Sequence, residues 1–145
     1  MANKWKGAEK KREAGGFAAL PHVVLRSNSY AQLSPHATKL LNDLLAQFNG
    51  KNNGDLCMAW KLMAKRGWRS RDTLDKARHK LLDAEWIMVT RQGGKHAATL
   101  YALTFYAIDE CGGKLDVAST NSPSGSWRKH EPVPARLRAA FEKKR

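Results

Sequence analysis

Within the twelve residues RSRDTLDKARHK lie Arg69, Ser70, Arg71, Thr73, Lys76, His79 and Lys80. All carry hydrogen-bond donors. An arginine fork holds a phosphate or the edge of a guanine bidentately, a lysine supplies a point charge, and a hydroxyl serves either. Such a set recognises a polyanion; it does not make or break bonds. A smaller group, Arg91, Lys95 and His96, brackets the glycines Gly93 and Gly94. Catalytic patterns are missing by comparison. The five histidines, His22, His36, His79, His96 and His130, have no metal-ligand spacing, and Asp109 and Glu110 are not joined by further acids. Neither a phosphate-binding glycine loop nor a nucleophile elbow occurs. Cys57 and Cys111 offer no disulfide framework and no zinc pattern, and read as reduced thiols. The expectation is a protein that is not an enzyme and uses no metal or cofactor.

The charge is distributed in the same sense. The 145 residues contain 26 Lys and Arg against 13 Asp and Glu, a formal net charge of +13. Residues 1–13 carry a net +3, residues 61–80 a net +6 and residues 126–145 a net +5, leaving a nearly neutral body. Three basic blocks on one small chain point to nucleic acid before an anionic membrane. At 42% hydrophobic residues the chain can bury one core. No apolar run approaches the roughly 20 residues that span a bilayer, and the charged start lacks the apolar stretch of a secretory signal. A cytoplasmic protein, nucleoid-associated when bound to DNA, is expected.

Five elements would position these side chains. Ser34 and Pro35 make a helix start, and Leu33, Ala37, Leu40, Leu41, Leu44, Leu45 and Phe48 fall on one helical face. A second, shorter helix fits residues 57–65 and is closed by Gly67; Ser70 then caps a third at about 70–84. Leu74, Ala77, Leu81 and Leu82 form the apolar arc of that third helix, and the donors lie opposite. Residues 86–90 and 99–104 read as two strands of a hairpin with Arg91, Lys95 and His96 at its tip. Upstream, FAALPHVVLR reads as an edge strand or extended segment because of Pro21. The domain is expected over residues 17–110, after a disordered basic arm at 1–16. A flexible linker at 111–126 and a basic tail at 127–145, with a short helix after Pro134, would follow.

Helix, short helix, tight turn, basic helix and hairpin is the order of an α+β winged helix-turn-helix, a three-helix core with a β-hairpin wing. In that arrangement the third helix enters the major groove and the wing holds the backbone. The stretch NGDLCMAWKLMAKRGWRSRDTLDKARHKLLDAEWIMVTRQGG, followed by LYALT, also resembles winged-helix proteins of plasmids, phages and integrated mobile elements. The resemblance covers about residues 17–108. It implies double-stranded DNA binding, in transcriptional or replication control. Two positions depart from the pattern. Glu85 stands where a glycine is usual, so either the turn is built differently or Glu85 takes a conformation glycine favours. Arg78 stands where a leucine is usual, and would snorkel outward or pair with an acid of the first helix.

Trp60 and Trp86 are expected in the core, Trp68 reads either way, and Trp127 is read as an anchor for a partner protein or a DNA flank. An alternative to DNA binding is an element-encoded inhibitor or adaptor that uses the scaffold and residues 127–145 to hold a host protein or ribonucleoprotein. A homodimer would suit a two-fold DNA site, although no heptad run supplies one.

Overall fold

A computed structural model describes residues 11–132 of the chain. The arm residues 1–10 and the tail residues 133–145, with the helix expected after Pro134, lie outside the described residues. The described chain is α+β: helices α1 (His22–Leu25), α2 (Asn28–Ala31), α3 (Pro35–Gln47), α4 (Trp60–Lys65) and α5 (Arg71–Asp83), and strands β1 (Leu56–Cys57), β2 (Ile87–Arg91) and β3 (Leu100–Leu103).

The two long helices begin as their sequences dictate. Ser34 Oγ accepts from Ala37 N at 3.2 Å and Ser70 Oγ from Thr73 N at 3.2 Å, so each serine satisfies an amide the first turn leaves open. α3 packs on α5. Leu40, Leu41 and Leu44 meet Leu74, Ala77 and Leu81 there, with Val24, Met63, Trp86 and Leu103 completing the centre of the core.

The antiparallel sheet has the order β1-β3-β2. Its middle strand, Leu100, Tyr101, Ala102 and Leu103, is buried at every position, as a strand paired on both sides and covered on its faces must be. β2 is bulged between Val89 and Arg91. On β1 the outer edge is closed by a side chain: the Gln47 amide donates to Cys57 O at 2.8 Å and accepts from Cys57 N at 3.0 Å. A two-residue strand thereby leaves no open edge at Cys57. Asn53, fully buried, ties the preceding loop to the far end of β3. Its Oδ1 accepts from Leu103 N at 2.8 Å, and its Nδ2 donates to the carbonyls of Leu103, Tyr106 and Ala107.

Four expectations need correction. The segment around Pro21 is helical, because Pro21 sits at the N-cap, where its missing N–H costs nothing, and its carbonyl accepts from Val24 N and Leu25 N. The second helix begins at Trp60, three residues later than expected, because Leu56 and Cys57 pair with Tyr101 and Leu100. The segment read as a linker is held to the domain by Asp116 N to Thr90 O (2.8 Å), Thr120 N to Ile108 O (2.9 Å) and Gly125 N to Thr104 O (2.9 Å). Trp127, in a 3-10 turn at Ser126–His130, is 2% exposed and stacks on Trp86, with ring centres 4.9 Å apart and planes 8° from parallel. It is core, and is spent inside this chain rather than on a partner.

Candidate nucleic-acid interface

The turn that delivers α5 is locked from three sides. Gly67 (φ +92°) takes the left-handed conformation, donating to Ala64 O, while Trp68 N reaches Met63 O, the closing bonds of a left-handed helix cap. Trp68 then turns inward, 5% exposed, and its Nε1 donates to Asp43 Oδ2 at 2.8 Å. Asp43, buried in the face of α3, also accepts from Lys39 Nζ at 2.8 Å and from Arg66 Nε at 3.1 Å, and Lys39 Nζ holds Arg66 O at 2.7 Å. Burial pushes the Asp43 carboxyl up, but hydrogen bonds from Lys39, Trp68 and Arg66 outweigh it and hold the group below its ordinary value.

The other end of α5 is closed by the same device with a different residue. Glu85 N donates to Leu82 O and Trp86 N to Leu81 O, with Glu85 at φ +57°. The turn is thus the one a glycine would make. Around it Thr104 Oγ1 donates to Glu85 O at 2.7 Å, and the Glu85 carboxylate faces His130 Nε2 at 3.0 Å and Lys129 Nζ at 3.4 Å. The hydrogen bond from His130, with Lys129 adding to it, holds Glu85 below its ordinary value.

Between these two caps the exposed side of α5 divides into three strips. At about 100° per residue, Arg71 and Arg78 fall on one flank, Thr73 and Lys80 on the other, and Asp72, His79 and Asp83 on the ridge between. Ion pairs cross the strips. Lys76 meets Asp72 at 3.0 Å, both three-quarters exposed, and Arg78 meets Asp75, whose carboxyl the Arg78 hydrogen bond holds below its ordinary value. His79 Nδ1 lies 2.9 Å from Asp75 O. Arg78 therefore finds its acid on its own helix and not on α3. The Arg71 guanidinium lies over the half-buried Trp60 ring at 5.3 Å. Arg69 and Lys80 make no ion pair among the described residues.

The hairpin flanks the Arg71 side. A groove of about 430 Å³ separates the two, with Trp60, Arg71 and Arg78 on one wall and Ala98, Thr99 and Tyr101 on the other. Lys95 and His96 are exposed beyond it. Arg91 is not at the tip as expected: it is half-buried, and its Nη2 donates across the hairpin to Ala98 O at 3.1 Å. Its work is to hold the hairpin closed.

The structure thus brings Arg69, Ser70, Arg71, Thr73, Lys76, His79 and Lys80 onto one helix and its approach, sets Lys95 and His96 on a separate element, and withdraws Arg91 and Ser70 into structural roles. Sequence reasoning missed Asp43 and Asn53. Asp43 could have been found as an acid one turn from Lys39 and three residues from Leu40, on the face reserved for leucines; Asn53 looked like any turn residue. Among the described residues no group of three His, Cys, Asp or Glu comes together to hold a metal ion, and no helix is long and apolar enough to cross a membrane. No family model, curated protein or solved structure matches the chain.

Proposed function

We propose that the chain is a winged-helix protein that binds double-stranded DNA, with the N-terminal end of α5 in the major groove and the hairpin over the adjoining backbone. One observation carries the reading: a helix clamped at both ends presents Arg69, Arg71, Thr73, Lys76 and Lys80 beside an antiparallel hairpin tipped with Lys95 and His96. An α-helix about 10–12 Å across fits a major groove about 12 Å wide. Its cations sit on the flanks, where the phosphates run. Its ridge acids face base edges, where a carboxylate can accept from cytosine N4. Control of transcription or replication in a mobile element is the role that this binding would serve.

Fluorescence anisotropy on a random 25-base-pair duplex across a salt series tests the proposal. About four to eight phosphate contacts give a slope of roughly −4 to −7 in log K against log salt. Arg69→Glu, Arg71→Glu and Lys76→Glu together should abolish binding. Salt-independent binding, or none at low salt, overturns the reading.

A second reading rests on the same ridge. Asp72 and Asp83 repel phosphate, and an adaptor or inhibitor that binds a protein would tolerate them better. In that case, with residues 127–145 carrying the contact, the triple charge reversal leaves partner binding intact.

A further inference from the structure

We propose that α3 is itself a DNA-contacting element, and that the cleft between its first turn and α5 takes a phosphodiester of the backbone opposite the hairpin. The inference rests on the duplex-binding reading and extends it to the second strand. A depression of about 450 Å³ lies on the flank of α5 away from the hairpin, walled by His36, Thr73, Lys76, His79 and Lys80. No acid lines it. That sets it apart from the groove on the hairpin side, where Asp75 stands beside Arg71 and Arg78. The cations of the two depressions lie about half a turn apart around α5, Arg71 on one side and Lys80 on the other. A helix seated in a major groove meets one phosphate wall on each flank, and a donor-lined cleft on each flank answers both walls.

Three of the side chains that line the cleft are held by neighbours. The Lys76 ammonium is turned to Asp72 at 3.0 Å, His79 Nδ1 is held by Asp75 O at 2.9 Å, and the His36 ring is set beside Trp68, 6.1 Å between ring centres. Lys80 has no acidic partner among the described residues, so it reaches a phosphate without first breaking an ion pair. The chemistry recognised is the phosphodiester, independent of base.

The test compares His36→Glu with Asn42→Glu on the random duplex, together with Lys80→Gln and the wild type, in the same salt series. Both glutamates add one negative charge to α3, but Asn42 is exposed on a different side of that helix. Glutamate in a first helical turn favours the helix, so His36→Glu keeps its fold, and thermal melting checks this. Each phosphate that the protein no longer neutralises makes the salt slope shallower by about 0.9, which at 0.1 M salt is roughly an eightfold weaker affinity. His36→Glu and Lys80→Gln should each show that weakening, and Asn42→Glu should stay near wild type. If His36→Glu and Asn42→Glu bind alike while the wild type binds with a steep slope, the cleft proposal falls and the duplex reading stands. A wild type without salt-dependent binding removes both.

Discussion

Asp43 shows how one buried carboxylate can set the aim of a surface helix. It is 4% exposed and receives Lys39, Arg66 and Trp68, the last two on either side of the turn into α5. Asp43→Asn weakens charge-assisted bonds that are worth about 1–3 kcal/mol, and stability should drop by that order. Because the folded carboxyl titrates below its unfolded value of about 4, its contribution is whole above that pH and is lost as pH falls through the folded value. Urea midpoints of wild type and Asp43→Asn should therefore converge on acidification from pH 7 to pH 3; a constant gap would show that the carboxylate charge is not what matters. The substitution also raises net charge by one. On the proposed duplex-binding reading, if charge alone governed affinity the variant would bind tighter, whereas loss of aim makes it bind more weakly, so the sign of the change in Kd decides. Glu85 is the second such residue. Glu85→Gly relieves the left-handed backbone and forfeits the ion pairs to Lys129 and His130, which salt screens. The glycine variant should melt above wild type in high salt, with a smaller advantage in low salt. Of these residues the sequence singled out Glu85, as a departure that left two ways of building the turn open, and not Asp43, because an acid in an apolar stripe is legible only once its three donors are in place.

At the scale of elements, legibility followed length. α3 and α5 are long enough for a full apolar stripe with a serine cap, and the structure places their starts where those signals do. β1 has two residues and no period of its own; it exists because β3 offers an edge and Gln47 closes the other side. α1 has four residues, and its proline fits an extended strand or a helix start equally well until Val24 N finds Pro21 O. The hairpin was legible from its glycines, but not the division of labour among them. A Cβ at Gly93 would come within 2.4 Å of Thr99 N and 2.6 Å of Ala97 O, so the two arms of the hairpin approach closely at this glycine. Gly93→Ala should therefore part the hairpin and cost about 1–3 kcal/mol, the usual penalty for overpacking. Amide hydrogen exchange should accelerate in β2 and β3 while α3 and α5 keep their protection. Uniform acceleration would mean that the hairpin and helices open as one unit.

Over the whole molecule, the boundary of the folded unit is where composition misled most. STNSPSGS has the makeup of a linker, yet the chain beyond it returns to lay Trp127 flat on Trp86 and to send both Glu131 carboxylate oxygens to the amides of Asn28 and Ser29 at the start of α2. Composition reports how a segment behaves alone; it is silent on one tryptophan that finds a slot between the N-terminal helices and the end of α5. Two truncations separate the roles that the tail reading merged. Removing residues 133–145 takes away a net charge of +4 and no described core residue, so the melting temperature should hold while the salt slope of the proposed DNA binding shallows. Removing residues 126–145 also takes away the buried Trp127. Losing a core tryptophan costs about 3–5 kcal/mol, which in a domain of this size lowers the melting temperature by roughly 10–20 °C. Equal melting of the two truncations would mean that the Trp86 slot stays closed without Trp127, and that the folded unit ends before Ser126.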